Sequence, residues 1–352
     1  MKKTLVLKVN SKKPELGEIR IAADIIKKGG LVAFPTETVY GLGADALNPK
    51  AVLTLFEAKK RPLDNPPIVH VGKIEEVYRL AKHVPQKAKT LMERFWPGPL
   101  TLIFECSEMV PSVTVAGLDT IAIRMPRHNV ALALLRESNC PIAAPSANLA
   151  GKPSPTSAEH VLEDLDGRID AVLDAGPTNI GVESTVLDLT SSPPQILRPG
   201  GTPYEDLKRV LGTVEIHPVA IADKEVQVEK VRSPGLKHKH YAPKAEVVVV
   251  EGEVQAMVKK AKELAEQYAQ KGLKVGVLAT DETSANYEGY VVKSLGSRGD
   301  LATIAKNLFR LLREFDVEEV DVIIAEGVPL QGLGLAVMNR LRKAAGYRIV
   351  KA

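Results

Sequence analysis

The sequence predicts an α/β protein folded as two units joined by a linker. Three observations carry that reading. Short apolar runs bounded by glycine and proline alternate with helical stripes along most of the chain, the pattern of strands and helices stacked in α/β layers. At 352 residues the chain exceeds one ordinary core and has room for two. Periodicity lapses at 215–244 and then resumes, which divides the chain into residues 1–214, a linker or lid at 215–244, and residues 245–352.

Apolar residues make up 45% and charged residues 26%, a soluble globular balance. Aromatics at 4% disfavour a stacking-based binder of single-stranded nucleic acid. The net charge of +4 and pI of 8.8 suit anionic ligands and fall short of a polybasic DNA protein. No run approaches the roughly 18 apolar residues of a membrane span, so no membrane partner is expected. Lysines interrupt the apolar patch in MKKTLVLKVN, which reads as a first strand rather than a leader. Cys106 and Cys140 stand far apart in no metal-like spacing and predict a reducing, cytoplasmic setting.

Taking the elements in order, Ile19, Ala22, Ala23 and Ile26 mark a helix stopped by Gly29-Gly30. The run Leu31 to Phe34 reads as a buried strand that breaks at Pro35 and delivers Thr36, Glu37, Thr38 and Tyr40 before Gly41-x-Gly43. A helix over 49–60 carries Val52, Leu55 and Phe56 on one face, and the stripe continues onto Lys59. A lysine there ordinarily snorkels to solvent. Arg61 follows, with Pro62 enforcing the stop. A strand over 67–71 carries His70, helices cover 74–82 and 86–95, and Trp96 to Pro99 turns into a strand over 100–105. Alternation over 119–126 puts Thr120, Ala122 and Arg124 on one face. After a helix over 130–137, the stretch from Pro141 to Asn148, if extended, places Ala144, Ser146 and Asn148 together. A helix over 158–165, a strand over 171–175 and a last helix over 203–211 complete the unit, with Ser184, Thr185 and Arg198 at strand starts or ends.

Several strands thus present Thr, Ser, Asn, Arg or Lys beside a proline or glycine, and open α/β sheets bind ligands at strand ends. Thr36, Lys59, Arg61, Arg124, Ser146, Asn148, Ser184 and Arg198 combine four cations with hydroxyls and an amide and include no carboxylate pair. Such a set describes an anion site, with polyphosphate as leading ligand. Individually each hydroxyl is more often a turn or cap residue and each arginine a surface ion pair; recurrence is what favours a site. No G-x-x-x-x-G-K-[ST] is present. Gly41-Leu-Gly43-Ala-Asp-Ala46 begins too far beyond Phe34 to serve as a dinucleotide fingerprint.

Lys59-x-Arg61-Pro62 and Ser146-x-Asn148, joined to PTETVYGLG, WPGPLT, IRMP, APSAN, GVEST and LRPG, resemble the YrdC-like domain of threonylcarbamoyl-AMP synthases from about Ile19 to Gly212. The remainder resembles the two-domain form of that family, including Ser233-Pro-Gly-Leu-Lys-His-Lys-His-Tyr-Ala-Pro243. The resemblance implies a twisted mixed-sheet YrdC-like domain with a basic concave surface. It also implies ATP-dependent synthesis of L-threonylcarbamoyladenylate from L-threonine and bicarbonate, with release of pyrophosphate. The product would feed a downstream tRNA threonylcarbamoyl transferase complex acting on the adenosine beside the anticodon. By analogy, Lys59, Arg61, Ser146, Asn148 and Arg198 hold ATP with Thr120 close by, Lys59 and Arg61 acting in catalysis. Thr36, His70, Arg124, Ser184 and the backbone near Ala144 receive threonine, Arg124 pairing with its carboxylate. Taken alone, His70 reads as a satisfied structural histidine. Magnesium is expected with ATP, held mainly by phosphates rather than by protein ligands.

Within 215–244, Lys237, His238, Lys239 and His240 favour anions over metals, and the segment is expected to close over ATP with His238 and Tyr241 reaching the nucleotide. From Ala245 the alternation resumes as a smaller Rossmann-like α/β domain, read as structural or regulatory. Two functional classes follow: an enzyme, or a module binding tRNA or double-stranded RNA through a basic concavity. Strand-end hydroxyls and few aromatics favour the enzyme; direct contact with tRNA stays open.

Overall fold

The computed structural model describes residues 3–224 and 240–352. The first unit runs β1 (Leu5–Lys8), α1 (Leu16–Lys27), β2 (Val32–Phe34), β3 (Gly41–Asp45), α2 (Pro49–Lys59), β4 (Val69–His70), α3 (Val77–Leu80), α4 (Gln86–Phe95), β5 (Leu100–Glu105) and β6 (Thr120–Arg124). It continues through α5 (Asn129–Ser138), β7 (Ile142–Ala143), α6 (Ala158–Leu165), β8 (Ala171–Asp174), β9 (Thr185–Asp188), β10 (Gln195–Arg198), α7 (Tyr204–Leu211), β11 (Glu215–Ile216) and α8 (Pro218–Ile221). Its strands form one mixed sheet of eleven, in the order β1-β8-β2-β3-β7-β4-β6-β5-β9-β10-β11.

The second unit comprises β12 (Glu246–Glu251), α9 (Val254–Gln270), β13 (Val275–Ala279), β14 (Val291–Ser294), α10 (Leu301–Val317), β15 (Val322–Glu326), α11 (Gly334–Ala344) and β16 (Ile349–Lys351). Its five strands pair in parallel in the order β14-β13-β15-β12-β16. Helices lie on both faces, which is the Rossmann-like α/β arrangement that buries near-continuous apolar strands such as Val247 to Val250.

Local chemistry explains the elements that frame the site. The Asn48 side chain caps α2 by accepting from the Lys50 and Ala51 amides at 3.1 and 3.3 Å, with Pro49 opening the helix. The helix ends at Lys60, in left-handed backbone at φ 51°, and the Arg61 amide returns to the Phe56 carbonyl at 2.9 Å. That turn sends Lys59 and Arg61 toward one side of the protein. The two units share a core: Val39 and Val182 pack in the same cluster as Leu308, Phe309 and Val337.

Four stretches differ from the sequence expectation. Gly41–Asp45, for which no strand is expected, is a strand paired antiparallel to β2. A Cβ on Gly43 would lie 2.8 Å from Ile142 Cγ2 and 2.9 Å from Phe34 Cε1, so close sheet packing accounts for the glycine. The helix expected over 74–82 splits into a 3₁₀ turn, Ile74–Glu76, and the single turn of α3. The strand expected toward Asn148 stops at Ala143; beyond it Ser146 makes an isolated bridge to Gly41. The aperiodic stretch opens with β11, paired in parallel to β10, and α8, elements too short to display a period.

Candidate active site

Two cavities adjoin on the first unit, sharing Arg61, Ser146 and His240 in their walls. The inner one, about 50 Å³, is lined by Thr36, His70, Arg124, Ala144, Ser184 and Arg198, with Glu183 and Tyr241 closing it. The outer one, about 430 Å³, is lined by Lys59, Asn148 and Lys152 among others. Sequence reasoning placed the site at strand ends. The structure lays it across one face of the central strands as well, since Ile68, directly before β4, and His70 on β4 both line it. β4 and β7 are two residues long, so end and face coincide there.

Most polar groups of the inner wall are held from behind. The Thr36 hydroxyl closes its own turn, donating to the Val39 carbonyl at 2.6 Å and accepting from the Val39 amide at 3.2 Å. Arg124 donates to the Gly98 carbonyl at 3.2 Å and to Thr38 Oγ1 at 3.0 Å, and its Nη2 lies 2.8 Å from Glu37 Oε1. Its remaining N–H bonds are what it has for a ligand. Arg198 forks onto the Ser184 carbonyl at 3.2 and 3.0 Å and reaches the Ser184 hydroxyl at 3.2 Å, which meets Thr101 Oγ1 at 2.7 Å. Arg61 is fixed by the Asn65 and Pro66 carbonyls at 2.8 and 3.2 Å.

Lys59 is buried, against the snorkelling habit of its residue type. Its ammonium donates to the carbonyls of Ser146 and Asn148, so it clips together the loop that carries both side chains. Asn148 Nδ2 donates to the Leu149 and Lys152 carbonyls at 2.8 and 3.1 Å, while buried Oδ1 has no hydrogen-bond partner among the described residues. Thr120 begins β6 at the far end from Arg124, about 13 Å away at 3.3 Å per residue, and lines neither cavity. His238 lies outside the described residues. Tyr241 reaches the inner cavity in left-handed backbone at φ 66°, its ring stacked on Phe309 at 5.3 Å. Glu183, His240 and Ile68 are wall residues that sequence reasoning did not select; GVEST carries Glu183 directly before Ser184.

Positive groups dominate the electrostatics. Burial and the Arg124 guanidinium push His70 down to about 3, so its ring is neutral. Burial, with Arg198 adding to it, lowers Arg61 to about 10, and burial lowers Arg198 as well. Lys59 falls well below the ordinary lysine value through burial and the nearby Arg61. The wall's carboxylate, Glu183, is drawn down to about 2: burial opposes ionisation, and Arg340, Arg198 and Ser154 overcome it. Cations crowded out of water, outnumbering the Glu183 carboxylate of the wall and the Glu37 carboxylate beside Arg124, define a receptor for an anion.

A family model described as telomere recombination matches residues 24–200, and a model of the threonylcarbamoyl-AMP synthase C-terminal domain matches residues 202–346. The threonylcarbamoyl-AMP synthase of Pyrococcus abyssi is 54% identical over 99% of both chains. The chain belongs to the threonylcarbamoyl-AMP synthase family. The Bacillus subtilis threonylcarbamoyl-AMP synthase is 52% identical over 95% of this chain and 94% of its own. A crystal structure of P. abyssi Sua5 complexed with L-threonine superposes with a TM-score of 0.94, at 52% identity, covering 99% of this chain and 100% of that one. Membership in the threonylcarbamoyl-AMP synthase family makes the chain an enzyme, with the YrdC-like unit and its C-terminal companion in the family arrangement.

Proposed function

We propose that the protein is a nucleotidyltransferase that converts L-threonine, bicarbonate and ATP into L-threonylcarbamoyladenylate and pyrophosphate, for transfer to the tRNA adenosine beside the anticodon by a downstream complex. The observation that carries this reading is the cavity pair, with Arg61, Arg124 and Arg198 around the inner space and Lys59, Lys152 and Arg61 around the outer one. The P. abyssi relative is complexed with L-threonine, which supports threonine as a substrate; the inner space, with Arg124 in its wall, is the side we assign to it.

The chemistry needs little from side-chain bases. The threonine ammonium and bicarbonate condense to a carbamate, releasing water and a proton. A carbamate oxygen then bonds to the α-phosphorus of ATP as the bond to the pyrophosphate oxygen breaks. Since the nucleophile arrives as an anion, the protein contributes alignment and charge stabilisation. In this reading Arg124, with Thr36, His70, the Ala144 backbone and Ser184, orients threonine. Arg61, Arg198, Ser146 and Asn148 receive the nucleotide, with Tyr241 beside it. Lys59 contributes by fixing the loop of Ser146 and Asn148. Magnesium carried on the ATP phosphates would supply further charge neutralisation, and Asn148 Oδ1, which has no hydrogen-bond partner among the described residues, would be available to its hydration shell.

The test is mass spectrometry of the complete mixture and of mixtures lacking one substrate each. The adenylate and pyrophosphate are expected only when threonine, bicarbonate and ATP are all present. Product formed without threonine, or none in the complete mixture, would overturn the assignment.

A further inference from the structure

We infer that Arg340, contributed by α11 of the second unit, is a positioning residue for the active site of the first. Its guanidinium is fully buried and touches the chain on either side of two wall residues. Nε donates to Glu183 Oε2 at 2.9 Å, and Glu183 directly precedes Ser184. Nη1 donates to the Pro199 carbonyl at 2.6 Å, and Pro199 directly follows Arg198. One planar group therefore bridges the entry to β9 and the exit from β10, the two segments that bring Ser184 and Arg198 together. The segments have little slack, since a Cβ on Gly200 would lie 2.3 Å from the Glu183 carbonyl oxygen. The same guanidinium lies 5.5 Å from the centroid of the Tyr241 ring, which closes the inner cavity.

Charge gives the contact a second effect. Glu183 is the carboxylate of the inner wall and would otherwise offset Arg198. Arg340 engages one of its oxygens and the Ser154 hydroxyl, at 2.6 Å, the other. Supplied from outside the wall, this partner leaves the Arg198 charge for the ligand. An arginine suits the task because its fork donates in two directions at once, which an ammonium on a flexible stem does not fix as well.

The inference rests on the proposed reaction for its kinetic arm and not for its structural arm. Full-length Arg340→Gln and Arg340→Lys are compared with wild type and with Arg342→Gln. Arg342 ties α11 to the Ile221 carbonyl at 2.9 Å and forks onto Glu251 at 2.7 and 2.9 Å without touching the wall, so its variant loosens α11 and its interface while leaving the Glu183 and Pro199 contacts in place. Hydrogen exchange, read by mass spectrometry on peptides spanning 181–202, follows the Gly201 amide on the Glu183 carbonyl and the Thr202 amide on Thr185 Oγ1, both 3.0 Å bonds. In Arg340→Gln, exchange there is expected to quicken and KM for threonine to rise about 5-fold or more, the scale of a lost buried hydrogen bond, with little change in kcat. Arg340→Lys, which keeps the charge opposite Glu183, is expected to fall between, and carries the test if the glutamine variant does not fold. Arg342→Gln should show neither change. Wild-type exchange in both Arg340 variants, or a fall in kcat at unchanged KM, overturns the inference. A wild-type protein that makes no adenylate removes the functional reading instead, and the exchange comparison still decides the role of Arg340.

Discussion

Replacing His70 by glutamine should flatten the acid side of the stability profile. The imidazole is 3% exposed, faces Arg124, presents its ring edge-on to Phe34 at 6.1 Å and has Nδ1 3.2 Å from the Ile68 carbonyl. Burial and Arg124 hold it down to about 3, whereas in the unfolded chain it titrates near 6.5. The unfolded state therefore takes up the proton first. Stability attributable to this group is complete above about pH 6.5 and is lost as pH falls from there toward 3, at up to 1.36 kcal/mol per pH unit. Between pH 7.5 and 4.5 the loss amounts to roughly 2.5 kcal/mol. Urea unfolding at fixed ionic strength across that range measures it. Glutamine keeps one N–H for the Ile68 carbonyl and cannot protonate, so wild type should lose roughly 2.5 kcal/mol more than His70→Gln. His160, lowered to about 4, is present in both proteins and cancels in the comparison, and Glu183, near 2, titrates below the window. Parallel pH profiles would refute the argument that His70 is buried neutral.

Three further outcomes follow from hydrogen bonding and packing. Lys59→Met strands the Ser146 and Asn148 carbonyls in a buried position and should cost about 2 kcal/mol, with at least a roughly 10-fold fall in pyrophosphate release, checked by chemical unfolding and a coupled assay. Wild-type activity would remove Lys59 as the clip of that loop. Gly200→Ala drives a Cβ to within 2.3 Å of Ser184 C and 2.4 Å of Thr185 N, so β9 and β10 must part, and a melting temperature several degrees lower is expected. Gly17→Ala, in open space on α1, should instead gain about 0.5 kcal/mol.

The wall was legible where its signal is local. Thr36, His70, Arg124 and Arg198 each stand at or just past the end of a short strand, beside residues that stop strands, so the chain announces them one at a time. β3 escaped notice because its strand is built of Gly, Leu, Gly, Ala and Asp, a composition that looks like a turn until the packing that demands the glycines is seen. The alternation that placed Thr120 and Arg124 on one face holds, but a face says nothing about distance along it. Arg340 and Glu183 are separated by 157 residues, and no local pattern encodes such a contact.

The way the site holds its cations explains why it keeps an unbalanced charge. Arg61 is fixed by the Asn65 and Pro66 carbonyls, Arg198 by the Ser184 carbonyl, and Lys59 by those of Ser146 and Asn148. Carbonyl dipoles fix a cation's direction without cancelling its charge, whereas a carboxylate does both. Acidic groups nearby are spoken for: Glu37 faces Arg124, Glu183 faces Arg340, and Asp164 faces Lys152 and Arg313. Burying this much positive charge is costly in the free protein, and the depressed values of Lys59, Arg61 and Arg198 register that cost. An anion entering the cavities relieves it, and in the proposed reaction the relief would grow as negative charge develops between the carbamate, the α-phosphorus and the departing pyrophosphate. A site balanced by carboxylates would be easier to fold and would have less to offer that charge.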